Sequence, residues 1–114
     1  MSIGDIHWIE LPENDSKEQR GRRPAVILQE DGYGASLPTV IVVPLSSTRA
    51  ALRFPGTALI RATDSSGLRN DSVALVFQLR AIDRSRIAGY LGIISAEERI
   101  AIQDELRKLL GRDF

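Results

Sequence analysis

Hydrophobic and polar residues alternate along this chain in short segments, and only near the C-terminus does their spacing lengthen. Residues 5–11, DIHWIEL, set Ile6 and Trp8 on one side and His7, Ile9 and Leu11 on the other, which predicts a short strand partly buried on both faces. Residues 12–22, PENDSKEQRGR, contain no apolar side chain beyond Pro12 and predict a long polar loop, a kind of segment that often carries function in compact domains. AVILQ, residues 25–29, reads as the next strand, with Pro24 at its first position, where a missing N–H leaves the ladder intact. The turn-forming run EDGYGASLP leads into TVIVVPL, residues 39–45, the most β-prone stretch of the chain and therefore the expected central strand.

Further on, TALIRA predicts a short strand, TDSSGLRND a turn-rich connection, and SVALVFQL, residues 72–79, another strand. RAIDRSRI predicts one helical turn capped by Asp83, and AGYLGII a last strand. The period then changes. Ser95 and Glu98 in SAEE have the spacing of a capping box, Ile102, Leu106, Leu109 and Leu110 form a 3.6-residue stripe, and Gly111 provides the stop. Five or six short strands followed by one long helix describe an α+β domain: a small, strongly bent antiparallel sheet or partly closed barrel with the helix packed on it. The length of 114 residues suits a single domain spanning residues 1–114.

Composition narrows the chemistry. Fifteen basic and fifteen acidic residues cancel, so any anion site is local rather than a property of the whole surface. Thirteen of the basic residues are arginines and only Lys17 and Lys108 are lysines, a bias toward planar, bidentate contacts with phosphate or carboxylate that genomic composition would also produce. There is no cysteine and only one histidine, His7, so neither a disulfide framework nor a cysteine or histidine metal cluster is expected, and no cofactor is called for. The N-terminus lacks the pattern of a signal peptide and no apolar run reaches ~18 residues, so a soluble, cytoplasmic protein without a membrane partner is expected.

Nucleotide-binding and hydrolase signatures such as the P-loop, G-x-S-x-G and HExxH do not occur. The groups that remain are guanidinium, hydroxyl and carboxylate, and these suit phosphoryl transfer, in which catalysis is mostly positioning and stabilisation of charge on phosphate oxygens. RNA carries its own nucleophile, the 2′-hydroxyl. A protein then needs a proton acceptor, an arginine for the pentacoordinate transition state, and help for the departing oxygen. Arg23, where the polar loop meets a strand, and Ser46 and Ser47, where the central strand ends, would bring a guanidinium and a hydroxyl to one rim of the sheet. On the residues alone, Arg20, Arg22 and Arg23 read equally well as solvated charges balancing Glu18 and Asp15.

The segments GDIHWIEL, EQRGRRPAVIL, TVIVVPLSS and GLRNDSVALVFQLRAIDRSRI, then LG before a C-terminal helix, occur in order from Gly4 to about Leu110 and together resemble the MazF/PemK/Kid family of toxins from bacterial toxin–antitoxin systems. The resemblance implies a CcdB/MazF-type fold, an SH3-like barrel with added helix, as a homodimer. It further implies a metal-independent endoribonuclease that cuts single-stranded RNA at short sequences, leaving a 2′,3′-cyclic phosphate and a 5′-hydroxyl, and a cognate antitoxin that blocks the RNA groove.

Carried over by position, the arginine before the proline is Arg23, the family's catalytic arginine, and the family's catalytic threonine falls on Ser46, with Ser47 beside it as second choice. Glu18 and Gln19 match the EQ pair, Glu18 as a base or as the group that orients Arg23. Arg20 and Arg22 are expected to contact phosphate, and Gln78 and Arg80 match a segment near the dimer and RNA surface. Two positions depart from the Kid-like pattern: Lys17 stands in place of a histidine and Phe77 in place of an aspartate, so the arginine–hydroxyl arrangement is the one this chain supports. Asp71 and Ser72 suggest a turn before a strand, Trp8 core or interface packing, and His7 a structural histidine. The alternatives are a CcdB-like toxin that binds a protein target such as DNA gyrase without cutting RNA, and an inactive module that kept the fold.

Overall fold

A computed structural model describes residues 1–11, 21–34 and 36–112 of the chain. Seven strands form one antiparallel sheet: β1 (Asp5–Leu11), β2 (Gly21–Ile27), β3 (Thr39–Ser46), β4 (Thr57–Ile60), β5 (Ser72–Leu75), β6 (Arg80–Asp83) and β7 (Ile87–Ile93). A four-residue helical turn, α1 (Asp31–Gly34), interrupts the connection to β3, and the helix α2 (Ala96–Leu109) ends the described fold.

The strand order is β4-β5-β3-β2-β1-β7, with β6 pairing β3 off this path. β3 is the hub. One edge pairs with β2 in the register Ala25↔Pro44, Val26↔Val43 and Ile27↔Val42, while the other edge pairs first with β6, from Thr39↔Asp83 to Val42↔Arg80, and then with β5 at Leu45↔Ala74 and Ser46↔Val73. Pro44, which has no N–H to give, falls where β3 changes partner on that edge. The sheet bends at this point without closing: no ladder among the described residues joins β4 to β7.

Bending divides the core in two. Ile6, Val26, Val43, Leu45, Ile60, Ala74 and Val76 pack on the side that α2 covers with Ile102, Ala101 and Leu106. Ile9, Leu11, Ala25, Ile27, Val40, Val42 and Ile82 form a second cluster. β1 contributes to both because side chains alternate along a strand, so Ile6 faces one cluster and Ile9 and Leu11 the other. Ile102 has no accessible surface, and burying such a side chain contributes roughly 1.5–3 kcal/mol.

The helix starts as the capping box requires: Ser95 Oγ accepts the Glu98 N–H at 3.0 Å, and Glu98 Oε1 accepts the Ser95 N–H at 2.9 Å. Glu98 Oε2 also accepts the Arg61 N–H at 2.8 Å, fastening the helix start to the exit of β4. Gly111 ends it with φ +94°. The apolar stripe is buried at Ile102 and half-buried at Leu106, whereas Leu109 and Leu110 stand exposed beyond the sheet.

Several expectations from the sequence need correction. Pro24 is not the first residue of its strand: β2 begins at Gly21, and Pro24 lies inside it opposite Trp8, while the β3 side is paired only from Ala25 on, so its missing N–H costs that ladder nothing. β2 also ends earlier than residue 29. Gln29 continues the pairing with its side chain, Oε1 accepting the Ile41 N–H at 3.2 Å and Nε2 donating to the Thr39 carbonyl at 3.4 Å. Residues 72–79 are not one strand; the 3₁₀ turn Val76–Gln78 breaks the run, and Arg80–Asp83 pairs with β3 as a strand that the pattern did not reveal. Asp83 does act as a cap, of the short turn Arg84–Arg86: its Oδ1 accepts the Ser85 N–H at 2.8 Å and the Ser85 hydroxyl at 2.7 Å, and these bonds hold the carboxyl below its usual pKa.

Candidate active site

Arg23 and Ser46 each lie two residues past Ala25↔Pro44, the last pair of the β2–β3 ladder, on the same end of the two strands. Both side chains line a cavity of about 290 Å³ at this rim of the sheet, together with Arg22, Pro24, Ser47, Thr48 and Ser72. β2 supplies the guanidinium groups, the end of β3 the hydroxyls, and the start of β5 the floor.

Arg23 is half-buried, and loss of solvent around its guanidinium lowers its pKa below the ordinary arginine value. A partly desolvated guanidinium keeps its charge at neutral pH and meets an oxyanion with less competition from water. Arg22 is more exposed and lies 5.8 Å from the Trp8 ring centroid, a cation–π contact that keeps this second cation at the cavity.

The two serines differ. Ser46 is half-buried and its Oγ accepts the Thr48 N–H at 3.1 Å, so one lone pair is engaged and the O–H proton is available to donate. Ser47 is exposed and borders both this cavity and its neighbour. Ser72 is buried and its hydroxyl donates to the Asn70 carbonyl at 3.0 Å, making it a structural floor. Beside it, Asp71 Oδ1 accepts the Ala62 N–H at 2.8 Å and Oδ2 lies 3.6 Å from Arg49, a largely exposed pair of the kind worth ~1 kcal/mol or less.

The structure brings Arg22, Arg23, Ser46 and Ser47 to one place. Glu18, Gln19 and Arg20 lie outside the described residues. Gln78 borders a different cavity, with Phe54, Phe77 and Leu109, and Arg80, on β6, pairs with Val42 of β3; neither lines the cavity of Arg23. Thr48 escaped the sequence reading, although a hydroxyl two residues beyond a strand-end serine is a recurrent source of backbone turns. Trp8, expected as packing, proves to be half-buried and in contact with the site through Arg22. His7 sits between Asp5, 3.9 Å from Nε2, and the Ala88 carbonyl, 3.3 Å from Nδ1, and does not line the cavity.

Fold and site together define a small, bent antiparallel β protein with a strand-end arginine and hydroxyls in a cleft suited to a phosphate group. The chain belongs to the family of PemK-like, MazF-like toxins of type II toxin–antitoxin systems, whose model matches residues 2–110. It is 32% identical over 108 residues to an endoribonuclease MazF of Staphylococcus epidermidis, covering 95% of this chain and 89% of that protein. Among solved structures it is similar to MazF from Deinococcus radiodurans, with TM-score 0.80, 27% identity and coverage of 97% of this chain and 96% of the other. A MazE–MazF structure from the same organism matches with TM-score 0.79 and 26% identity over 97% and 96% of the two chains. The fold class read from the sequence is that of these structures, with the sheet open rather than closed.

Proposed function

We propose that the chain is the toxin of its system by virtue of metal-independent endoribonuclease activity, cutting single-stranded RNA at short sequences in the cytoplasm and so stopping translation and growth. The observation that carries this reading is the shared cavity of Arg23 and Ser46. The names of the curated relatives support it.

In the proposed reaction the ribose 2′-oxygen attacks the adjacent phosphorus, the P–O5′ bond breaks, and the products are a 2′,3′-cyclic phosphate and a 5′-hydroxyl. The attacking hydroxyl gives up a proton and the leaving oxygen takes one. Arg23 stabilises negative charge on the non-bridging oxygens as it accumulates. The Ser46 hydroxyl, oriented by the Thr48 N–H, donates to one of those oxygens, and Arg22 holds a neighbouring phosphate. Glu18 is the proton acceptor, or the group that orients Arg23, on sequence grounds alone.

Two partners complete the proposal. One is a second copy of the chain: Phe54, Phe77 and Leu109 are exposed together, with the Phe54 and Phe77 rings 6.0 Å apart, and an apolar surface of this kind favours a homodimer. The other is a cognate antitoxin, as in the MazE–MazF structure of a relative. No helix among the described residues is long and apolar enough to cross a membrane.

The test is incubation of the purified protein with a long single-stranded RNA in EDTA, repeated with Arg23→Ala. Wild type should leave fragments with 5′-hydroxyl ends, and the variant should leave the RNA whole. Intact RNA with wild type would return the question to a toxin that binds a protein target.

A further inference from the structure

Arg22 and Arg23 are neighbours in β2, and consecutive residues of a strand project to opposite faces, so the two guanidinium groups reach the same cavity from opposite sides. Arg23 is half-buried on its way there, whereas Arg22 is exposed and depends on its neighbours for a fixed position. β1 offers it two. In the ladder between β1 and β2, Glu10 stands directly across from Arg22, and Trp8, across from Pro24, is the diagonal neighbour on the same face. The guanidinium lies over the ring, 5.8 Å from its centroid, and among the described residues it forms no ion pair with Glu10. We propose that Trp8 is a positioning residue of the site: its indole face holds the Arg22 guanidinium at the cavity, against the pull of the Glu10 carboxylate, so that Arg22 meets the phosphate beside the scissile one already in place. The proposal rests on the endoribonuclease reading and assigns how that site holds the RNA strand.

A cation over an indole face and an exposed ion pair are of the same order in strength, so local geometry decides which of the two Arg22 makes. The choice matters for an anionic substrate. A pair with Glu10 would engage the guanidinium with a carboxylate that also repels phosphate. An aromatic ring attracts the cation through its quadrupole and carries no charge that would neutralise it or oppose the substrate.

The ring is itself held. Trp8 is half-buried, and a Cβ at Gly89 would stand 3.8 Å from its Cδ1, so the indole lies against β7 at a position that has no side chain. It also borders the neighbouring cavity, of about 400 Å³, with Leu68, Asn70 and Leu91. A fixed aromatic surface restricts an arginine that would otherwise sample many rotamers, and ordering it before the substrate arrives removes an entropic cost from binding. Arg22 contacts a phosphate other than the scissile one, so the gain falls on affinity and not on the bond-breaking step.

Trp8 is the only tryptophan, so fluorinated tryptophan enters the chain at this position alone. Ring fluorines withdraw electron density from the indole face with little change of shape. The full-length protein with successively fluorinated Trp8, and the variants Trp8→Leu, Arg22→Ala and Trp8→Leu with Glu10→Gln, are measured for affinity to a labelled 2′-O-methyl RNA strand, which lacks the nucleophile and is not cut. On the same strand with ribose, kcat and KM are measured. Affinity should fall stepwise with fluorination, by ~three- to fivefold in all, and Trp8→Leu should lose about as much. KM should rise in parallel while kcat stays within about twofold of wild type. Once Arg22 is replaced by Ala, neither fluorination nor Trp8→Leu should cost anything further, and Glu10→Gln should restore the affinity that Trp8→Leu loses. Affinity indifferent to fluorination, a Trp8 effect that persists in Arg22→Ala, or no rescue by Glu10→Gln overturns the proposal, even where Arg23→Ala shows the nuclease reading to be sound. The whole pattern in binding, with no cleavage by wild type, retains the positioning role and removes the nuclease. Should Trp8→Leu fail to fold, the fluorinated series with and without Arg22→Ala decides alone.

Discussion

Arg23 on β2 and Ser46 on β3 each lie two residues beyond the last β2–β3 pair, Ala25↔Pro44, and both open onto the same cavity. Their juxtaposition follows from strand register, which side-chain packing sets: Val26 and Val43 lie in one core cluster, Ala25 and Val42 in the other, and slipping by one residue would turn each toward the wrong side.

Arginine at position 23 matters for its planar fork as well as its charge. Arg23→Lys keeps the cation and loses bidentate contact, and its cleavage rate on a fluorogenic RNA oligonucleotide should fall ~10²-fold, with Arg23→Ala lower still. A lysine variant as active as wild type would mean that a point charge suffices.

The neighbouring serines should separate cleanly. Ser46→Ala removes the hydroxyl held by the Thr48 N–H and should lose most activity, Ser46→Thr should keep it, and Ser47→Ala should cut nearly as well as wild type. Initial rates at saturating RNA measure the difference, and equal losses for Ser46→Ala and Ser47→Ala would remove the distinction.

Gly92→Ala should disturb stability and the packing of the 63–70 loop on β7. The added methyl meets the Ser65 carbonyl oxygen at 2.2 Å, and overpacking of this kind costs ~1–3 kcal/mol. Urea unfolding should show the loss as a lowered midpoint.

At the start of α2, Glu98 has two duties and Ser95 one. Ser95→Ala should cost about 1 kcal/mol, the usual value of a lost cap. Glu98→Ala should cost more, because the Arg61 N–H at the β4 exit loses its acceptor as well. Chemical denaturation of the two variants gives the order.

The exposed apolar side makes a mass prediction. Wild type should scatter light as a dimer, and Phe54→Asp combined with Leu109→Asp should scatter as a monomer with an unchanged circular dichroism spectrum.

The sequence by itself determined what local physics can encode. The β-prone run of β3, the capping box at Ser95 and Glu98, the Asp83 cap and the stop at Gly111 each depend on residues a few positions apart, and each appears in the structure where the pattern put it. The arginine and hydroxyl candidates were legible for the same reason, Arg23 near the start of one strand and Ser46 at the end of another. Long-range pairing decided the rest. Residues 80–83 have no distinctive alternation and become a strand because β3 offers them an unpaired edge, after Val76–Gln78 turns the chain away from β5. Trp8 looked like packing until β1 paired with β2 and set its ring under Arg22, and Leu68, Asn70 and Leu91 become one wall only when the 63–70 loop closes on β7. Such residues are far apart in sequence, and their meeting is set by register and backbone approach, which no local spacing records.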